Sequence, residues 1–257
     1  MISAEEVKSL REETGISIME CKKALEASGG DREKALLILK KRSTEVAAKK
    51  TDREVKDGFI TVEETAEKIA IVSLQCETDF VSKNADFQAL GKKLASIAIK
   101  DGAEKAEEVS KEEIDFVVQK IGENIKLGKI EILDKSSGNI GVYIHDGKKG
   151  IVAILDGGDN ALSKDIAMHI TAMQPEFMTL DEIPTETKEA VTALMKEEVD
   201  ASKPADIQEK MLTGKVAGYF KEKVLTEQSF IKDQGITIGK LLDSKNAKIK
   251  SVQRVSI

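Results

Sequence analysis

Residues 68–78, Lys-Ile-Ala-Ile-Val-Ser-Leu-Gln-Cys-Glu-Thr, limit the possible folds of this chain more than any other stretch. Ile69–Val72 is apolar at every position. Strand side chains alternate between two faces, so such a run must be covered on both sides. Only 4% of the residues are aromatic while 33% are charged, so the covering layers must be built from Ile, Leu, Val, Ala and Met. With 40% hydrophobic residues the chain can bury a real core, and 257 residues suggest about two domains.

The neighbouring segments supply the partners of that strand. Gly58–Glu64 reads as a second strand. Phe87, Leu90, Leu94, Ile97 and Ala98 fall on one side of an amphipathic helix. Ser110 followed by Glu113 has the spacing of a capping box and predicts a helix from there to about Ile121, with a strand over Leu127–Asp134 after it. The clearest hairpin is Gly138–His145, the turn Asp146–Gly150, then Ile151–Gly158; its Asp-Gly pair suits the positive φ of a tight turn. Leu162, Ile166, Ile170 and Met173 mark a helix closed by Pro175, and residues 184–225 read as two helices joined near Ser202–Ala205, the second weakened by Gly214 and Gly218. A short helix over 237–245 and a strand over 248–257 complete the pattern. Helices and strands mix without strict alternation, which gives an α+β class with antiparallel sheets.

The first 42 residues differ in kind. Ser3 with Glu6 and Ser17 with Glu20 form capping boxes, and Gly29-Gly30-Asp31 stops one helix and starts the next. Val7 and Leu10, then Ile18, Cys21 and Leu25, then Ala35, Ile38 and Leu39 mark the apolar faces of three short helices. Their core is thin, and the apolar loop Gly15–Met19 is partly exposed, a feature that suits docking on a partner. Residues 43–57 read as a charged linker, partly helical. The expected domains are thus 1–42, the linker 43–57, a first core subdomain 58–138, a second formed by 139–183 and 226–257, and an inserted helical hairpin 184–225.

Several function classes are disfavoured. The net charge of −6 argues against a general nucleic-acid coat. No run approaches the roughly 18 apolar residues of a membrane span, and the charged start lacks the apolar centre of a signal peptide, so a cytoplasmic protein is expected. Cys21 and Cys76 sit in separate apolar stretches and read as buried thiols. The only histidines are His145, beside a hairpin tip, and His169, which reads as a half-buried structural residue. No convergent catalytic or metal-ligand set stands out, so no enzyme, metal or cofactor is expected. Gly122–Ile130 imitates a phosphate loop, but it has five residues between its glycines instead of four, and Ile130 stands where a hydroxyl should meet magnesium.

Two segments remain unusual: Thr14–Leu25, and Cys76-Glu77-Thr78-Asp79-Phe80-Val81-Ser82-Lys83-Asn84. Read locally, Thr78 and Asp79 form a turn, Ser82 or Asn84 caps the next helix, and Phe80 joins the core. Together with Lys120–Asn124, Ile166–His169 and Pro175–Phe177, these segments give the chain a resemblance, along essentially its whole length, to the bacterial translation elongation factor Ts family. The resemblance implies a guanine nucleotide exchange factor that binds the GTPase elongation factor Tu and promotes magnesium displacement and GDP release so that GTP can bind. Residues 1–42 would be a ubiquitin-associated-like docking domain and 184–225 a helical protrusion that serves self-association in some members. Thr78, Asp79, Phe80 and Val81 would act in magnesium displacement, with Phe80 as a wedge and Val81 either at the interface or packed beneath the loop. Arg11, Ile18, Met19, Ile121, Gly122 and His145 would make further partner contacts. Some members continue past the equivalent of residue 257 into a C-terminal helical module, whose contacts this chain would lack. The rival reading is an adaptor: a ubiquitin-associated-like module tethered to a ribosome- or chaperone-linked scaffold.

Overall fold

A computed structural model describes residues 2–200 and 202–257. It is an α+β protein whose chain divides into two compact units. The first comprises residues up to Ser136 with Asp146–Lys149 and Val255–Ile257; the second comprises Ser137–His145 and Gly150–Arg254.

The first unit opens with helices α1 (Ala4–Thr14), α2 (Ile18–Ala27) and α3 (Arg32–Ala48). Ser3 and Glu6 form the full reciprocal capping box. At Ser17 only half of one forms: Ser17 accepts from the Glu20 N–H, while the Glu20 carboxylate pairs with Arg42 and accepts from Gln119. Helix α3 continues to Ala48, six residues into the expected linker, because its second half has packing to do. Ser43 bonds Gln119, Thr44 bonds Asp115 and Lys40 pairs with Glu112, all on α6 (Ala103–Ile121). Phe116 of α6 also packs against the core of α1–α3. Ile38, expected on the apolar face of α3, is exposed, while Ala35 and Leu39 fill the core.

Strands β1 (Asp57–Glu64), β2 (Lys68–Cys76) and β3 (Ile125–Asp134) form an antiparallel sheet in the order β1-β2-β3. The doubly apolar strand is thus the central one. Ala70, Val72, Leu74 and Cys76 share one core with Phe87, Leu90, Leu94 and Ala98 of α5 (Ala85–Asp101) and Val118 of α6. Helix α6 starts at Ala103 and not at Ser110. The strongly helix-forming run 103–108 carries it through, and Ser110 sits inside the helix with its hydroxyl donating to the Glu107 carbonyl. The tip residues Asp146–Lys149 pack on β1: the Ile60 N–H donates to the Gly147 carbonyl at 2.7 Å, and Lys148 pairs with Asp57. Gly147 has φ +69° and lies against the Phe59 ring, so two separate constraints require glycine there.

The second unit holds β4 (Asn139–His145) and all but the end residues of β5 (Lys149–Asp156) and β8 (Lys248–Ser256), which form a sheet in the order β4-β5-β8. Helix α7 (Asn160–Met173) and α10 (Ile238–Ser244) build one core with β5 through Leu155, Ile166, Ile170, Ile238 and Leu242. His169 is fully buried, deeper than the sequence suggested. Its Nδ1 accepts from the Ile231 N–H at 3.2 Å, which leaves Nε2 to donate to Gln228 Oε1 at 3.0 Å. The two-stranded ribbon of β6 (Ser229–Phe230) and β7 (Asp233–Thr237) is not visible in the sequence pattern. Helices α8 (Thr185–Glu197) and α9 (Ala205–Lys223) form the hairpin, held by a small core of Ile183, Val191, Phe220 and Val224. Despite Gly214 and Gly218, α9 is continuous. Among the described residues no helix is long and apolar enough to cross a membrane.

Candidate functional site

Cys76 ends β2, paired with Asp57 on β1 and Ile125 on β3. Immediately beyond it the chain makes one short helical turn, α4 (Asp79–Ser82), before Asn84 caps α5 by accepting from the Asp86 N–H at 2.8 Å. Four residues make a very weak helix alone, so the turn depends on what holds it. Val81 and Ser82 are buried, and Val81 belongs to the main core. Its side chain therefore packs beneath the loop, not at the surface. Phe80, in contrast, is 82% exposed, which removes the reading in which it joins the core. An aromatic ring left in water at this level is unusual, since burying it would be strongly favourable.

The entrance to the turn is fastened by two crossed carboxylates. Glu123 accepts from the Thr78 N–H at 3.1 Å and from the Thr78 hydroxyl at 2.8 Å. Glu77 accepts from the Asn124 N–H at 2.6 Å and pairs with Arg53 at 3.4 Å. Asn124 is itself buried and donates to the Thr51 and Arg53 carbonyls, while Lys50 donates to the Gly122 carbonyl at 2.6 Å. Cys76 donates its S–H toward the Thr78 carbonyl at 3.2 Å. Burial, helped by the negative charges of Asp57 and Glu123, pushes this thiol up to about 12, so it stays protonated.

Below the turn, burial raises the Asp57 carboxyl, but hydrogen bonds from Lys148, Ser82 and the Gly58 N–H outweigh it and hold the group below the usual carboxylate range. Asp79 faces outward and pairs with Lys83 at 2.8 Å; the hydrogen bond and charge of Lys83 lower its pKa, so the carboxylate is ionised at neutral pH. The turn thus presents an ionised carboxylate next to an unpacked phenyl ring.

Ile121 and Gly122 join this region through the adjacent Glu123. Gly122 closes α6 with φ +91°, its N–H donating to the Val118 carbonyl at 2.8 Å, and the space where a Cβ would stand is empty. The residue is a helix stop whose outer side is open to another backbone. Ile121 is half-buried against the main core. Because Gly122 follows a helix and precedes a strand, the order is opposite to that of a phosphate loop, which runs from strand to helix.

Arg11 lies on α1, and Ile18 and Met19 on the first turn of α2. Ile16 is buried, but Ile18 and Met19 are 57% and 63% exposed. Arg11 and Ile18 line one shallow groove with Ile2, Val7, Lys8 and Lys22, an apolar floor with basic edges. His145 belongs to the second unit, at the end of β4, where its exposed ring stacks near Tyr143 with centroids 6.1 Å apart. Among the described residues no cluster of three or more His, Cys, Asp or Glu side chains could hold a metal ion. Glu77 and Glu123 fall within two of the segments that carry the resemblance, but the sequence gives them no role in the site: their partners lie 45 and 47 positions away, and only the sheet brings them together.

The family model described as "Elongation factor TS" matches residues 77–257, beginning at the residue before Thr78. Proteins named elongation factor Ts are similar over nearly the entire chain. That of Hydrogenovibrio crunogenus is 36% identical over 100% of this chain and 91% of its own length. That of Deinococcus deserti is 37% identical over 95% and 96%, and that of Methylococcus capsulatus is 39% identical over 100% and 92%. The chain belongs to the elongation factor Ts family. It is thereby a translation elongation factor. The family model includes the crossed carboxylates and the exposed turn, and the relatives extend the match over the helices that carry Arg11, Ile18 and Met19.

Proposed function

We propose that the protein is a guanine nucleotide exchange factor for the GTPase elongation factor Tu, acting through protein contact without chemistry of its own. The observation that carries this reading is Phe80, held outward on a turn whose other residues are buried or bonded. A GTPase retains its nucleotide through backbone amides, a lysine and a magnesium ion bridging the phosphates. To release it, a second protein must bind more tightly to a form of the GTPase in which those contacts are poor. By linkage, the free energy gained in that form is lost from nucleotide binding. Phe80 gains burial only by entering the partner, and Asp79 places a negative charge beside it, where magnesium and phosphate contacts are sensitive to charge. Thr78 and Val81 fix the turn from within.

In this reading the groove edged by Lys8, Arg11 and Lys22, with Ile18 and Met19 beside it, provides affinity, as a separate docking surface on residues 1–42. Gly122 and Ile121 add contact beside the turn, His145 touches another part of the partner, and the 184–225 hairpin serves self-association. The adaptor reading needs only the docking surface of residues 1–42 and does not call for a second, braced turn that carries an unpacked phenyl ring beside a carboxylate. Release of a fluorescent GDP analogue from elongation factor Tu, followed by stopped flow, tests the proposal: the protein should accelerate release many-fold, and no acceleration at saturating protein would refute it.

A further inference from the structure

We propose that Glu123, reciprocated by Glu77, is a positioning residue that sets how fast nucleotide is released, by fixing the direction in which Phe80 points. The inference rests on the wedge reading of Phe80 and goes beyond it.

Phe80 has no packing of its own in the free protein, so only the backbone of residues 78–82 sets its direction. That backbone is a single turn, and its N-cap residue, Thr78, makes none of the usual capping bonds with its hydroxyl. Both Thr78 donors are used instead by one carboxylate, Glu123, which joins the turn to the link between α6 and β3. Glu77 closes the reverse bond to Asn124. Adjacent residues 77–78 and 123–124 thus exchange carboxylates in a crossed clamp. Its far side is immobilised by buried Asn124, bonded to two carbonyls, and by Lys50 on Gly122. A carboxylate suits the task because it accepts two hydrogen bonds at once, and charge strengthens both. Removing it leaves the Thr78 N–H without an acceptor and lets the turn fray. The fraction of molecules with Phe80 correctly aimed then falls, and the rate at saturation falls with that fraction.

The test uses the full chain, elongation factor Tu loaded with a fluorescent GDP analogue, and four variants: Phe80→Ala, Glu123→Ala, Glu123→Gln and the double variant Phe80→Ala/Glu123→Ala. Glu123→Ala should slow saturated GDP release by about tenfold, the scale of a lost charged hydrogen bond. The half-saturating concentration should move by less than about twofold. Glu123→Gln, whose carbonyl still accepts from the Thr78 N–H, should recover most of the rate. The double variant should be no slower than Phe80→Ala, because the clamp acts through that ring. Amide exchange in peptides covering 77–84 should quicken in Glu123→Ala while α5 stays protected, which separates local fraying from global unfolding. If Phe80→Ala releases GDP at the wild-type rate, the wedge reading itself is overturned. If Phe80→Ala is slow but Glu123→Ala is not, or if the two effects multiply in the double variant, the positioning role alone is overturned. Glu123→Ala unfolding as a whole, with Glu123→Gln also failing to restore the rate, would likewise overturn it.

Discussion

At the scale of single residues, exposure and burial divide the side chains into two kinds of role. Phe80 contributes nothing to the core, so Phe80→Ala should leave denaturant unfolding of the free protein within about 0.5 kcal/mol of wild type. Had the ring been in the core, the same change would cost about 3–5 kcal/mol. His169 is the opposite case. Burial lowers its pKa, and the Gln228 contact opposes this only in part. The Ile231 N–H aimed at Nδ1 also leaves no room for a second ring proton. The unfolded chain takes up a proton at His169 near pH 6.5 while the folded protein does not, so the unfolded state binds more protons below that pH. Stability should therefore fall as pH drops from about 7 toward the lowered folded pKa, by at most about 1.4 kcal/mol per pH unit from this group. Titration of the His169 ring by NMR provides the check. A midpoint at or above 6.5 in the folded protein would contradict the assignment.

Among elements, the hairpin α8–α9 has its own small core of Ile183, Val191, Phe220 and Val224, and neither helix contributes a residue to the larger core of its unit. Replacing residues 185–223 with a short Gly/Ser loop should keep most exchange activity and lower any tendency to self-associate, as read by sedimentation. Loss of exchange in a replacement that still melts cooperatively would show that the hairpin takes part in release. Elements of this kind were legible in the sequence wherever periodicity or a cap was local: the doubly apolar β2, the hairpin turn at Asp146-Gly147, and the helix starts at Ser3 and Asp31. Boundaries failed where tertiary contact decided them. Helix α6 starts at Ala103, and Ser110 is a buried interior residue whose spacing to Glu113 merely resembles a cap, while the partly helical linker is helical as far as Ala48 because α6 offers it partners. In the site, the local pattern picked out Phe80 but not its exposure, since a four-residue turn is too short to show a buried face; an outward Phe80 came only with the family resemblance. The clamp was invisible because each of its bonds spans more than 40 positions.

Across the whole molecule, affinity and release fall to different surfaces in this reading. Ile18 and Met19 are exposed and form part of the proposed docking surface of residues 1–42, so changing them should move how tightly the partner is held. Ile18→Ser with Met19→Ser should raise the half-saturating concentration about tenfold or more, as loss of two exposed apolar contacts would, while the rate at saturation and the melting temperature stay near wild type. Titrated exchange rates measure both quantities at once, and a fall in the saturated rate with unchanged affinity would contradict the division. In the proposed mechanism Phe80 drives nucleotide release. Its most direct test is stopped-flow GDP release from elongation factor Tu with Phe80→Ala across a range of concentrations. The variant should be stable and still form the complex but release GDP at least about thirtyfold more slowly at saturation, the scale of a buried aromatic anchor of about 2 kcal/mol. A stable Phe80→Ala protein that releases GDP at the wild-type rate would contradict it.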